Sequence, residues 1–149
     1  MEHITNSVTF WTTLDKIAAT SAVIIDRPAG SHHPKYPWYV YPVDYGYLEG
    51  TSSMDGNCID VWRGTHGSDI DAIICTIDWL KKDSEIKVLI GCGEEEKKLI
   101  WESHNNSDYM KGILIRRHVP TQANTGKKRG RDRKRATEQN PQARRPLHR

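Results

Sequence analysis

Between residues 45 and 90 the chain repeats one pattern four times: a short run of aliphatic, β-branched or aromatic residues, then a turn rich in Gly, Ser or Asp. The runs fall at residues 45–48, 58–63, 71–77 and 85–90, and GILIRR at 112–117 adds a fifth. Strands that short, connected that closely, build a small barrel or a strongly bent sheet. Residues 22–25 form another β-branched-rich run, a buried strand ended by Arg27-Pro28 and the Gly30-Ser31 turn. Residues 31–42 carry Pro34, Pro37 and Pro42, which predicts an extended loop. Two helices complete the pattern. In residues 7–20 Phe10, Leu14 and Ile17 form a stripe and Ser7 serves as the cap. In residues 93–104 Glu94, Glu95 and Glu96 suit the positive N-terminal end, Leu99 and Ile100 give an apolar face, and Asn105, Asn106 and Ser107 stop the helix.

Charge divides the 149 residues in two. Of 22 Lys/Arg and 19 Asp/Glu, ten and two fall in residues 118–149, a local +8. Residues 1–117 keep 12 and 17, a net −5. The expected organisation is one domain at 1–117 and a basic, disordered tail at 118–149 whose composition cannot bury enough surface to fold. Its GKKRGRDRKR run attracts polyanions nonspecifically. Cys58, Cys75 and Cys92 are odd in number, contain no CxxC pair and read as reduced core thiols. With no signal peptide and no membrane span expected, the predicted location is cytoplasmic.

The chemistry concentrates in residues 41–60, YPVDYGYLEGTSSMDGNCID. Asp55 and Asp60 bracket a Gly56-Asn57 turn. Asp78 ends the next strand, and Asp83 and Glu85 precede Lys87. Carboxylates at strand ends can converge on magnesium, which takes one or two of them with waters and substrate phosphates. Singly, each is more simply a solvated turn former. Arg27, Lys35, Lys87, Tyr41 and Tyr45 supply cations and hydroxyls suited to phosphate oxygens. His32 and His33, adjacent on an extended chain, point to opposite sides and read as loop residues.

Over residues 26–117 the order YPVDYGYLEGT, MDGNCIDVW, then T-x-D and D-x-E-x-K at 76–87 resembles the soluble family I inorganic pyrophosphatases, whose signature is D-G-D-P-x-D. The resemblance implies a fold that is mainly β with flanking helices, a small OB-like β-barrel. It also implies magnesium-dependent hydrolysis of inorganic diphosphate to two phosphates by a metal-bound water, and a homo-oligomer as a further expectation. Matched residue by residue, the metal ligands are Asp55, Asp60, Asp78 and either Asp83 or Glu85. Lys87 and Tyr45 contact phosphate and, with Asp55 and Asp60, form the catalytic set, while Asp26 and Lys35 match an acid and a lysine of the substrate site.

Three departures lower the expected activity. The middle acid of the signature, the family's base, is Asn57. A hairpin with a phosphate-binding arginine is missing between Lys35 and Tyr41, and a Tyr-Lys pair falls near His104-Asn105. An amide takes no proton at neutral pH, and losing a positioned base costs roughly 10²–10⁴-fold in rate. Asp44 stands one residue from Tyr45 as a substitute base. Two rivals follow: a non-catalytic module that binds magnesium–pyrophosphate or a nucleotide, and an OB-like nucleic-acid binder. The net −5 of residues 1–117 weighs against the second.

Overall fold

The computed structural model of the protein describes residue 4 and residues 6–118. Apart from His118, the basic tail lies outside the described residues. Helix α1 (Val8–Ala19) opens at Ser7, whose hydroxyl accepts the Thr9 N–H at 3.2 Å. The apolar face is displaced by one residue from the expected stripe. Trp11 is fully buried, with Leu14, Ile17 and Ala18 beside it, whereas Phe10 stands half exposed against the Trp11 edge. The larger ring takes the interior, and its indole N–H is satisfied there by Asn6 Oδ1 at 2.5 Å. Asn6 also donates to the Arg116 carbonyl and accepts from the His118 N–H, fastening the N-terminal segment to the end of the last strand.

The strands are β1 (Val23–Arg27), β2 (Asp44–Leu48), β3 (Ile59–Arg63), β4 (Ile70–Asp78), β5 (Asp83–Ile90) and β6 (Met110–Arg116), with helix α2 (Glu94–Ser103) between the last two. They form one sheet in the order β1-β2-β3-β5-β4-β6. Every neighbouring pair is antiparallel except β3 with β5. The mainly β architecture with flanking helices is the expected one. The small OB-like barrel is realised as an unclosed sheet, with β1 and β6 at its two edges.

Strand alternation gives the sheet two buried faces. One carries Leu48, Val61, Ile73 and Val88 against Trp11 of α1. The other carries Trp62, Ala72, Ile74 and Leu89 against Ile100 of α2 and the Tyr41–Val43 approach to β2. The apolar pair expected on α2 is halved: Ile100 is buried and Leu99 exposed. Successive helical residues lie about 100° apart, so both cannot face one sheet. Lys97 is buried instead, its ammonium held by Asp71 at 2.8 Å and Glu94 at 3.0 Å. All three cysteines are free, and burial, followed by the nearby acids Glu96 and Asp71, pushes the Cys92 thiol up to about 12.

Candidate functional site

Lys87 sits in the middle of β5, 4% exposed, on the face of Trp62 and Leu89. Its register partner on β4 is Ile74, and on the other side β3 runs parallel and brings Asp60 alongside. The ammonium donates to Tyr45 Oη at 2.8 Å, Asp60 Oδ2 at 2.9 Å and Glu85 Oε2 at 3.5 Å. Those three bonds engage all three of its protons. Burial opposes the charge, but Tyr45, Asp60 and Glu85 together outweigh it and hold Lys87 above its ordinary range. Burial raises the Tyr45 phenol further than Lys87 lowers it, so the phenol stays neutral. The phenol oxygen accepts from Lys87. Burial also raises the Glu85 carboxyl; Lys87 opposes the shift and Asp60 adds to it.

Beyond Tyr45 the same face is lined with rings and cations. The Tyr41 ring centre lies 5.3 Å from that of Tyr45, and Arg27 Nη1 donates to the Tyr41 hydroxyl at 2.5 Å. Arg27 reaches this face because a bulge at Asp26 sets Ile25 opposite Gly46 and Arg27 opposite Tyr45. His33 stacks on Tyr41 with 6.2 Å between ring centres and an 11° tilt. Its Nδ1 accepts the backbone N–H groups of Lys35 and Tyr36 at 3.0 and 3.1 Å, which leaves the proton on Nε2. Burial lowers its pKa, and the charges of Arg27, Lys81 and Lys35 lower it further. The imidazole is therefore a neutral donor among three cations.

Of the residues singled out in the sequence, the structure brings together Tyr45, Asp60, Glu85 and Lys87. It does not bring the other acids to them. Asp55 Oδ1 accepts from the Ser53 hydroxyl at 2.7 Å and the Asn57 N–H at 2.9 Å, closing an exposed turn. Asp78 Oδ1 accepts the N–H groups of Leu80 and Lys81 at 2.9 and 3.0 Å and shapes the β4–β5 hairpin. Asp83 is its register partner. Asp26 is the exposed bulge residue, and Lys35 holds its ammonium 5.6 Å from the Tyr36 ring centre. Among the described residues no group of three or more His, Cys, Asp or Glu is arranged to hold a metal ion. Asp44, considered as a substitute base, lies on the opposite face from Tyr45. It is paired with Arg63 at 3.5 Å and accepts the Ala29 N–H. Asn57 turns its amide toward Asp55.

His104, at the end of α2, is buried, where the sequence marked only the place of the family's Tyr-Lys pair. Its Nε2 accepts the Trp62 indole N–H at 3.1 Å, and its Nδ1 lies 3.2 Å from Met110 Sδ. Burial first, and the Lys87 charge second, lower its pKa to about 3. The unfolded chain binds a proton here near the ordinary 6.5 while the folded chain does not. The contribution is thus fully present above pH 6.5 and lost as pH falls from 6.5 toward 3. Stability is expected to drop on acidification by up to about 1.4 kcal/mol per pH unit, and His104→Gln to flatten that slope. Urea unfolding at pH 7, 6 and 5 checks it; identical slopes in the two proteins contradict it.

No model of a known protein family matches the chain, and no curated protein matches it in sequence. Solved structures do. An inorganic pyrophosphatase from Neisseria gonorrhoeae superposes with a TM-score of 0.50 at 16% identity, over 60% of this chain and 77% of that one. The fold is inorganic-pyrophosphatase-like. An inorganic phosphatase from Anaplasma phagocytophilum gives a TM-score of 0.45 at 16% identity, over 63% of this chain and 81% of its own. An inorganic pyrophosphatase from Coxiella burnetii gives 0.46 at 15%, over 63% and 84%. Among the described residues no helix is long and apolar enough to cross a membrane.

Proposed function

We propose that the chain binds inorganic diphosphate at the open end of the Lys87 face and hydrolyses it slowly with magnesium. The observation that carries this reading is the junction of Lys87, Tyr45, Asp60 and Glu85, which Tyr41 links to Arg27, together with the cations Arg27, Lys35 and Lys81 that act on the neutral His33. A diphosphate needs several cations and donors converging from one side, and this face offers them in a domain that is otherwise acidic. The loosest bond of Lys87, at 3.5 Å to Glu85, is the one a phosphate oxygen replaces most cheaply. The phenolic hydroxyl of Tyr45 and the guanidinium of Arg27 would hold further oxygens.

Asp60 and Glu85 are the two neighbouring carboxylates that would hold one divalent cation, each with one oxygen already bonded to Lys87. When bound, magnesium supplies Lewis acidity and lowers the pKa of a coordinated water. Asp60 and Glu85 orient the site and neutralise the cation, while Lys87 and Arg27 draw charge from the phosphates as the bridging oxygen departs. Asn57 supplies no base, so the rate rests on these groups alone. The test is phosphate release from diphosphate with and without magnesium. Release above background only with the metal is the expected result. Binding without release makes the chain a non-catalytic module.

Glu85 gives the reading a pH signature. Its carboxyl titrates above the ordinary carboxylate range and must be ionised to hold the metal. Magnesium-dependent affinity is therefore expected to rise with pH through a midpoint above 4.5. Glu85→Gln should lower the affinity at neutral pH by about tenfold and abolish the midpoint. Calorimetric titration from pH 5 to 8 reads both effects, and a pH-independent affinity in the parent chain counts against the role of Glu85.

A further inference from the structure

The 31–42 loop carries more aromatic surface than a diphosphate can use. Trp38 is 77% exposed and Tyr36 41%. Their ring centres lie 5.8 Å apart with a 44° tilt, which makes an open aromatic corner. The rings continue inward without a gap. Trp38 lies 6.5 Å from Tyr39, Tyr39 lies 5.0 Å from Tyr41, and the Arg27 guanidinium lies 5.5 Å from the Tyr41 ring. The loop is held in place by backbone bonds from Tyr39 N–H to the Tyr36 carbonyl and from His33 N–H to the Tyr39 carbonyl, each 2.9 Å. His32 Nδ1 adds a bond to the Pro37 carbonyl at 2.6 Å. A corner so fixed needs little ordering when a flat ligand lands on it.

Single exposed aromatics are common on protein surfaces and mean little. Here two share a braced loop, Lys35 stands 5.6 Å from one of them, and the cations Arg27 and Lys81 act on the same His33. Phosphate-binding cations at one end of an aromatic path and an open ring pair at the other match the two halves of a nucleotide. Bases of every kind stack on such rings. Two ring-to-ring contacts and one cation–ring contact connect Trp38 to Arg27, so a base on the ring pair and phosphates at the cations would lie along one path.

We propose that the diphosphate taken by the Lys87 face is carried by a nucleoside di- or triphosphate, with its base stacked on Trp38 and Tyr36. The proposal rests on the diphosphate reading above and names its substrate class. Trp38→Ala tests it without disturbing the interior, because the ring is exposed. Calorimetry would compare adenosine diphosphate with methyl diphosphate, which has the same anhydride and no base, on the full chain and on the variant, each with magnesium. Adenosine diphosphate is expected to bind about tenfold more tightly than methyl diphosphate, and Trp38→Ala to erase that difference alone. Equal affinities of the two ligands for the parent chain overturn the proposal and leave diphosphate binding standing. Failure of both ligands, and of inorganic diphosphate, overturns the underlying reading as well. Single-stranded oligouridylate that binds through Trp38 and is not displaced by diphosphate overturns the proposal in favour of a nucleic-acid surface.

Discussion

Replacing Lys87 with Met is expected to destabilise the domain by about 3 kcal/mol and to remove diphosphate binding. The methionine fills the volume of the aliphatic stem but leaves Asp60 and Glu85 facing each other without the ammonium between them. Breaking a mostly buried charge pair from one side costs more than the pair itself contributed, because the remaining charge is left uncompensated. Both carboxylate side chains are about a quarter exposed, at 26% and 21%, which places the expected loss at the low end for such pairs. The sign with pH follows. Lys87 opposes the rise of the Glu85 carboxyl, so without it Glu85 holds its proton more tightly and the variant's deficit should shrink as pH falls through the carboxylate range. Urea unfolding of parent and variant at pH 7 and pH 4 measures both quantities. A deficit below about 0.5 kcal/mol at pH 7 would show that the cluster is not a structural unit.

Gly46→Ala is the second large effect. A Cβ at Gly46 would lie 1.8 Å from the Ile24 carbonyl oxygen and 2.8 Å from the Ile25 Cα, both backbone atoms of β1. No rotamer relieves that contact, so β1 must separate from β2. The separation would disturb the bulge that aims Arg27 at the site. A loss of about 4 kcal/mol is expected, among the larger single-residue effects. Gly50→Ala provides the contrast. Gly50 has a φ of +80° and open space around it, so only left-handed strain of about 1 kcal/mol applies. Thermal melting ranks the two, and equal losses would refute the close approach of β1 to β2. The same contact explains a feature of the sequence: between Tyr45 and Tyr47 only a residue without a side chain lets the two strands meet.

Elements were legible because turn residues separate them. Residues 58–63 became Ile59–Arg63, 71–77 became Ile70–Asp78 and 93–104 became Glu94–Ser103. Sheet order was not legible. The parallel pairing of β3 with β5 and the place of β4 beside β6 depend on contacts between distant residues, which no local pattern encodes. The open edges have the same origin.

The site divides along similar lines. Tyr45, Asp60 and Lys87, with Glu85 as the alternative to Asp83, were singled out by the family resemblance; in the structure a period of two puts 85 and 87 on one face, and pairing adds 45 and 60. The resemblance matched Asp55 and Asp78 to metal ligands; in the structure one oxygen of each accepts nearby backbone N–H groups. Short acidic side chains habitually form that local alternative. His33 was set aside on the alternation of an extended chain, but its loop turns back to bond His33 to Tyr39 and lays the imidazole on Tyr41. His104 could not be found from spacing at all. Its partner Trp62 is 42 residues away, and nothing local marks a histidine that will be buried and neutral.

The most direct measurement titrates inorganic diphosphate with magnesium into the parent chain and into Tyr45→Phe. That substitution keeps the ring that packs against Trp62 and Tyr41 and removes only the hydroxyl bonded to Lys87. A hydrogen bond to a charged oxygen is worth about 1.5–3 kcal/mol, so the variant should bind roughly ten- to hundredfold more weakly with its fold intact. Equal affinity in the two proteins would place the diphosphate somewhere other than the Lys87 face.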